Sequence, residues 1–157
     1  MPEKAMESGH EMDAAEMERL AFLYGGSKNA LDATKALSVC SEDFTFEVAT
    51  GRPVRIVGWQ NVQTHLAELW GAIPDLHTRV DWTVAGSSRL VAGGMLSGTL
   101  RGAYFGAQPT GRRFEVALIS VLTFAHRRLV SESNHVDMLS LLTQAGVLEE
   151  REPDRKA

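Results

Sequence analysis

The stretch RFEVALISVLTFAHRRLVSESNHVD, residues 113 to 137, decides the fold. From Phe114 to Phe124 apolar residues fall at every second position, with Phe114, Val116, Leu118, Leu122 and Phe124 on one side and Ala117, Ile119 and Val121 on the other. Period two is the signature of a strand, and apolar side chains on both sides mean that both faces need a cover. AHRR at 125 to 128 is short enough for a hairpin, so the next segment returns as a paired strand. That return strand carries unusual polar chemistry. Alternation puts Val130, Glu132, Asn134 and Val136 on one side and Leu129, Ser131, Ser133, His135 and Asp137 on the other.

Upstream, the period changes from helical to extended. Met17, Leu20, Ala21 and Tyr24 recur at helical spacing, Gly25-Gly26 is expected to stop that helix, and Ser27 to cap a second one carrying Ala30, Leu31, Ala33 and Leu37. Phe44, Phe46 and Val48 alternate as a half-buried strand ended by TGRP at 50 to 53. Val62, Leu66, Leu69, Trp70 and Ile73 form the stripe of a third helix starting near Trp59 and ending at Pro74. Strands are expected from Leu76 to Val84 and from about Leu90 to Tyr104, where Gly93-Gly94 marks a bulge that bends the sheet. A short helix from Met138 to Ala145 closes the domain. The order predicts an α+β fold in which a strongly bent antiparallel sheet wraps around three N-terminal helices. Its domain spans 12–148, between a polar tail at 1–11 and a charged tail at 149–157. The apolar outer side of the strand at 114–124 is expected to meet a second copy, giving a homodimer built sheet to sheet.

The totals exclude several classes. A net charge of −4, with basic residues paired only at Arg112–Arg113 and Arg127–Arg128 beside turns, argues against a nucleic-acid partner. No apolar run is long enough to span a bilayer, and MPEKAMESGHEMD lacks the apolar core of a secretory signal. The single cysteine, Cys40, suits a reducing, cytoplasmic setting and reads as a small buried hydrophobe. Phosphate-cradling glycine motifs are absent, and His65 and His77 have neither the spacing nor the acidic company of a metal site. The expectation is a protein without cofactor or metal.

Three segments, IPDLHTRVDW, LRGAYFGAQPTGRRFEV and LVSESNHVDMLSLLTQAGVL, resemble in order and spacing the SnoaL-like polyketide cyclases of the nuclear transport factor 2-like superfamily. The resemblance covers about residues 15 to 148. It implies a cone: a bent sheet around the helices, with a deep, mostly apolar cavity at the open end. It also implies that the Glu132, Asn134 and Val136 side of the last strand looks inward and His135 outward. Phe46, Val48, Leu118 and Ser120 would share the cavity, Trp59 would roof its mouth, and Tyr24 falls where steroid isomerases of the superfamily carry an oxyanion-stabilising tyrosine. The departures are as specific. The basic aspartate of the steroid isomerases matches Val48, the second acidic position falls at or near Ser120, a histidine following the RG pair is replaced by Tyr104, and the last-strand aspartate of the hydrolase branch matches Asn134.

Glu132 is therefore the one carboxylate expected to face the cavity. Among Phe46, Val48 and Leu118 its charged form is disfavoured, which suits general acid/base work. Asn134 could donate a hydrogen bond to it or to an enolate oxygen, with Tyr24 and Tyr104 as further donors. The expected chemistry is proton transfer beside a carbonyl in a bulky apolar polyketide- or terpenoid-type compound, giving cyclisation or isomerisation. An epoxide-opening hydrolase or cyclase is the second reading, and a non-catalytic module binding an apolar ligand the third. A structural alternative pairs Glu132 with an arginine such as Arg101, and makes Tyr24 and Asn134 ordinary hydrogen-bonders of the core.

Overall fold

A computed structural model describes residues 12–149, so the polar tail expected at 1–11 and the charged tail beyond residue 149 lie outside the described residues. Helix α1 (Ala14–Asn29) opens on Asp13, whose carboxylate accepts the Glu16 N–H at 2.8 Å, satisfying a donor that the first turn leaves unpaired. The expected stop at Gly25-Gly26 does not occur. The helix runs through both glycines, the buried Ser27 hydroxyl donates to Leu23 O at 2.7 Å instead of capping a new helix, and the Asn29 carboxamide makes two 2.9 Å bonds to the backbone of Thr78. Two helical glycines cost on the order of 1 kcal/mol each. Burial of Tyr24 and Ser27 and the tie to Thr78 outweigh that cost. The second helix, α2 (Ala33–Leu37), is shorter than expected and is capped by Asp32.

Six strands follow: β1 (Cys40–Val48), β2 (Val54–Val57), β3 (His77–Gly86), β4 (Arg89–Thr99), β5 (Arg113–Ala125) and β6 (Arg128–Val136). Helix α3 (Trp59–Ala72) lies between β2 and β3, and α4 (Met138–Gln144) follows β6. The sheet order is β2-β1-β6-β5-β4-β3. All pairs are antiparallel except β1 with β6, which run parallel because the long excursion through α3 and four strands brings the chain back beside its first strand in the same direction. The edge strand β2 is too short and too exposed to show alternation in the sequence, and was not anticipated there.

Two bulges bend the sheet. In β3 the register shifts between Val80 and Trp82, leaving Asp81 as the extra residue opposite Gly93 and Gly94, as the glycine pair suggested. A Cβ on Gly94 would stand 1.8 Å from Arg79 O, so only glycine admits this approach. In β6 the register shifts beside Val130, and Leu129 crosses to the inner side with Phe124, where it is fully buried. Simple alternation had placed Leu129 outward; one inserted residue reverses the parity of everything before it.

The strand expected to reach Tyr104 ends at Thr99. There the chain turns to seal the end of α3: the Arg101 and Gly102 N–H groups both donate to Ala72 O at 2.9 Å, and Asp75 accepts the N–H and hydroxyl of Thr99, each at 2.7 Å. The PDLH and RG motifs thus meet at one joint. Helices α1 and α3 lie over one face of the sheet, and the apolar interior divides into two clusters. One is built around Tyr24, Phe44, Leu66 and Leu122, the other around Ile73, Phe114, Leu118 and Leu141. The outer face of β5 is open in the single chain, with Ala117 exposed and Ile119 42% exposed. Among the described residues no helix is long and apolar enough to cross a membrane.

Candidate functional site

Between the two apolar clusters lies a cavity of about 610 Å³, walled by α1, α3, α4 and the concave face of the sheet. Its lining is largely aliphatic and aromatic, and Glu132 is the only carboxylate among the described residues that line it. The inward parity of β6 places Glu132 and Asn134 there, both buried, and leaves His135 outside. Phe46 and Val48 reach the cavity from β1, Leu118 and Ser120 from β5, and Tyr104 from the segment after β4. Trp59 does not: it begins α3, and its indole N–H donates to Ser41 O at 2.7 Å, which turns it away from the expected place over the mouth.

Glu132 is held by α1 and not by Arg101, whose side chain is exposed. The Tyr24 hydroxyl donates to Glu132 Oε2 at 2.5 Å, and the Lys28 ammonium lies 2.7 Å from Oε1 and 2.9 Å from Oε2. The same ammonium stands 4.6 Å from the Tyr24 ring centroid and 5.6 Å from that of Phe46, so aromatic faces help to hold it. Burial, reinforced by the Glu132 charge, pushes the Tyr24 hydroxyl well above the ordinary phenol range, which keeps it a donor. Lys28 has three N–H groups and uses at most two on Glu132, leaving one for a ligand. Sequence reading missed Lys28. It sits four residues after Tyr24, one turn along the same face, a relation hidden by ending the helix at Gly25.

Asn134 does not donate to Glu132. Its Oδ1 accepts the Ser120 hydroxyl at 2.6 Å and its Nδ2 donates to Glu47 O at 3.3 Å, so the two buried polar residues satisfy each other. Tyr104 packs edge-on against Phe105 at 4.6 Å, and burial, with the Glu68 charge, pushes its hydroxyl up. His65 also lines the cavity, its ring tilted against Phe46 at 5.2 Å, and burial lowers its affinity for a proton. It had been read only as a poor metal ligand, although its place three residues after Val62 and four before Leu69 puts it on the buried stripe of α3. Burial pushes the Cys40 thiol up to about 12, so it behaves as packing. Among the described residues no three His, Cys, Asp or Glu side chains gather as a metal site would require.

The family model of the SnoaL-like polyketide cyclases matches residues 19–145. The chain belongs to this family. Solved structures share the SnoaL-like architecture over nearly their whole length: the candidate hydroxylase AclR of Streptomyces galilaeus (24% identity, 87% of this chain and 99% of that one, TM-score 0.73) is one. A candidate SnoaL-like polyketide cyclase of Jannaschia sp. CCS1 is another (14%, 89% and 99%, TM-score 0.78). A third, from Catenulispora acidiphila DSM 44928, has a ketosteroid isomerase-like fold and was solved with trimethylamine (14%, 85% and 97%, TM-score 0.70). At these identities the likeness is one of fold, the bent, unclosed sheet with helices in its hollow. Among curated proteins none matches the chain. In this SnoaL-like domain the polar contacts of the chamber gather at Tyr24, Lys28 and Glu132, whereas Val48, Ser120 and Asn134 carry no charge.

Proposed function

We propose that this SnoaL-like protein is a cofactor-independent cyclase or isomerase of a bulky apolar carbonyl compound, polyketide or terpenoid in type, acting by acid/base catalysis in its cavity. The observation that carries the reading is a charged, hydrogen-bonded cluster, Tyr24–Glu132–Lys28, set into an otherwise apolar chamber large enough for a multi-ring intermediate. A carbonyl oxygen placed beside it meets the remaining Lys28 N–H, a preorganised donor in a site of low dielectric, where developing negative charge is strongly stabilised. The Tyr24 hydroxyl and the Glu132 carboxylate hold the Lys28 ammonium in place beside that oxygen, so the donor is oriented before the charge develops. The apolar walls, Phe46, Val48, Leu118 and Tyr104 among them, hold a flexible chain in its cyclising conformer and remove the entropy of that ordering from the barrier. The paired Ser120 and Asn134 act as a fixed polar stripe that orients a second oxygen.

The same reading takes the protein as a homodimer joined by the outer sheet face, working in the cytoplasm within secondary metabolism. In a turnover assay with an aldol-competent polyketide-type ketone, Glu132→Gln is expected to lower kcat by about 10²–10⁴-fold. Unchanged kcat would remove the cluster from the mechanism. One observation favours a non-catalytic, ligand-sequestering role instead: Ser120 with Asn134, and Tyr24 with Glu132 and Lys28, already satisfy one another. Such a module would bind apolar ligands with affinity nearly flat between about pH 5 and 8, and the acid/base enzyme would not be flat. Epoxide opening ranks below both, since it calls for a second carboxylate near Glu132 and the described lining contains none.

A further inference from the structure

Glu132 is poorly free to accept a proton from carbon, because Lys28 and Tyr24 already occupy its oxygens. The cavity holds one other group that can accept a proton at neutral pH. His65, on the inner stripe of α3, lines the same chamber half-buried, and no side-chain hydrogen bond among the described residues engages its ring. Its ring and the Lys28 ammonium lie against the one Phe46 ring, at 5.2 and 5.6 Å from its centroid. A base and an oxyanion donor thus both lie against Phe46 and both line the one chamber, where a bound ketone can meet each of them. We propose that His65 is the catalytic base that removes the proton from the carbon beside the substrate carbonyl, while the Lys28–Glu132–Tyr24 cluster receives the charge on oxygen.

This deepens the acid/base reading above and rests on it. In the step, the C–H bond breaks, its electron pair forms the enolate, and the proton passes to a ring nitrogen of His65. The enolate oxygen is held by the Lys28 N–H. The carbon then attacks a second carbonyl of the same molecule, and the new alkoxide takes the proton back from the imidazolium. Ring closure follows with no atom lost and no oxidant needed. Burial is the larger influence on the His65 ring and keeps it neutral, while Glu68 on its own helix acts the other way. The other charged or titratable groups lining the chamber are Tyr24, Lys28, Arg52, Tyr104 and Glu132; the two cations favour a neutral ring, Glu132 favours a charged one, and burial is the larger influence. The base form is therefore the resting form at neutral pH, and activity should fall as pH drops through a midpoint below the ordinary histidine value of 6.5.

The test uses 5-nitrobenzisoxazole, a carbon acid that any well-placed base opens to a coloured phenolate, with the full chain. The wild type should show saturable turnover with that acid limb. His65→Ala should lose about 100-fold or more, lose the limb, and recover at least about tenfold with added imidazole, at an unchanged thermal midpoint. Rescue and the vanished limb separate a base from a merely structural ring. Glu132→Gln should alter the rate yet keep the limb. A limb that survives in His65→Ala and disappears in Glu132→Gln would overturn the assignment and leave the cluster reading standing. Wild-type turnover no faster than free imidazole, with the probe shown bound by quenching of tryptophan fluorescence, would overturn both.

Discussion

At the scale of single residues, Lys28 joins structure and function in one side chain. Its partner Glu132 is almost wholly buried, with the Glu132 side chain 4% exposed and Lys28 19% exposed. Removing one member of such a pair leaves a charge in low dielectric with no counter-charge, whereas removing both leaves little to compensate. Lys28→Met should therefore destabilise the fold by about 3 kcal/mol, although the methionine fills similar volume. Lys28→Met combined with Glu132→Gln should recover most of the loss. Urea denaturation of the two single variants and the double closes the cycle; losses that simply add would show that the pair does not act as a unit. The same reasoning explains why the rest of the chamber's polar groups are quiet: Val48 is apolar wall, Ser120 and Asn134 bond to each other, and the ion pair joins Lys28 of α1 to Glu132 of β6.

At the scale of elements, two glycine pairs look alike in the sequence and differ in what they do. Gly93 and Gly94 face the bulge in β3, where a Cβ on Gly94 would meet Arg79 O at 1.8 Å. Gly94→Ala should cost about 3 kcal/mol or more and flatten the bend that shapes the cavity. Gly26, in the interior of α1, has nothing within 4 Å of where a Cβ would stand, and Gly26→Ala should stabilise by about 0.5–1 kcal/mol. Thermal melts of the two variants should shift in opposite directions; a shift of the same sign would contradict the geometry. The contrast also marks what was legible beforehand. Strand alternation in β1 and β5 depends on local period, which a sequence displays directly; the bulge is marked by its glycine pair, and the inward side of Glu132 is implied by the family resemblance and not by period. Continuation of α1 through Gly25-Gly26 depends on Tyr24 and Asn29 finding partners on distant strands, and local propensity points the other way. The bulge at Val130 leaves no local mark, so Leu129 was placed on the wrong face. Lys28 went unnoticed because its role followed from the helix that had been ended too early, and Trp59 was misplaced because the fold, unlike its own stripe, decides which way a helix's first turn points.

At the scale of the whole molecule, the sheet has one covered face and one bare face. The inner face closes on the helices. On the outer face Trp82 and Val84 of β3 and Ile119 of β5 are 48%, 63% and 42% exposed, on either side of half-buried Val91 and Met95 of β4 and beside Val121. Trp82 packs over Gly93, where a Cβ would meet its ring at 2.1 Å, so the indole lies along the sheet and leaves a broad apolar plane. A monomer rarely leaves such a surface to water, and a sheet face of this width can supply the roughly 800 Å² per partner that a stable pair needs. In the proposed homodimer a second copy of the same chain would present the same plane and cover it isologously, with Ile119 of one protomer near the centre of the contact. Sedimentation of the wild type should give a dimer, and Ile119→Asp with Val84→Asp should give a monomer whose cavity still binds apolar ligand, since both side chains lie across the sheet from Glu132 and Tyr24. A monomeric wild type would return the bare face to the solvent side and take the pairing out of the proposal, without touching the chemistry on the other side of the sheet.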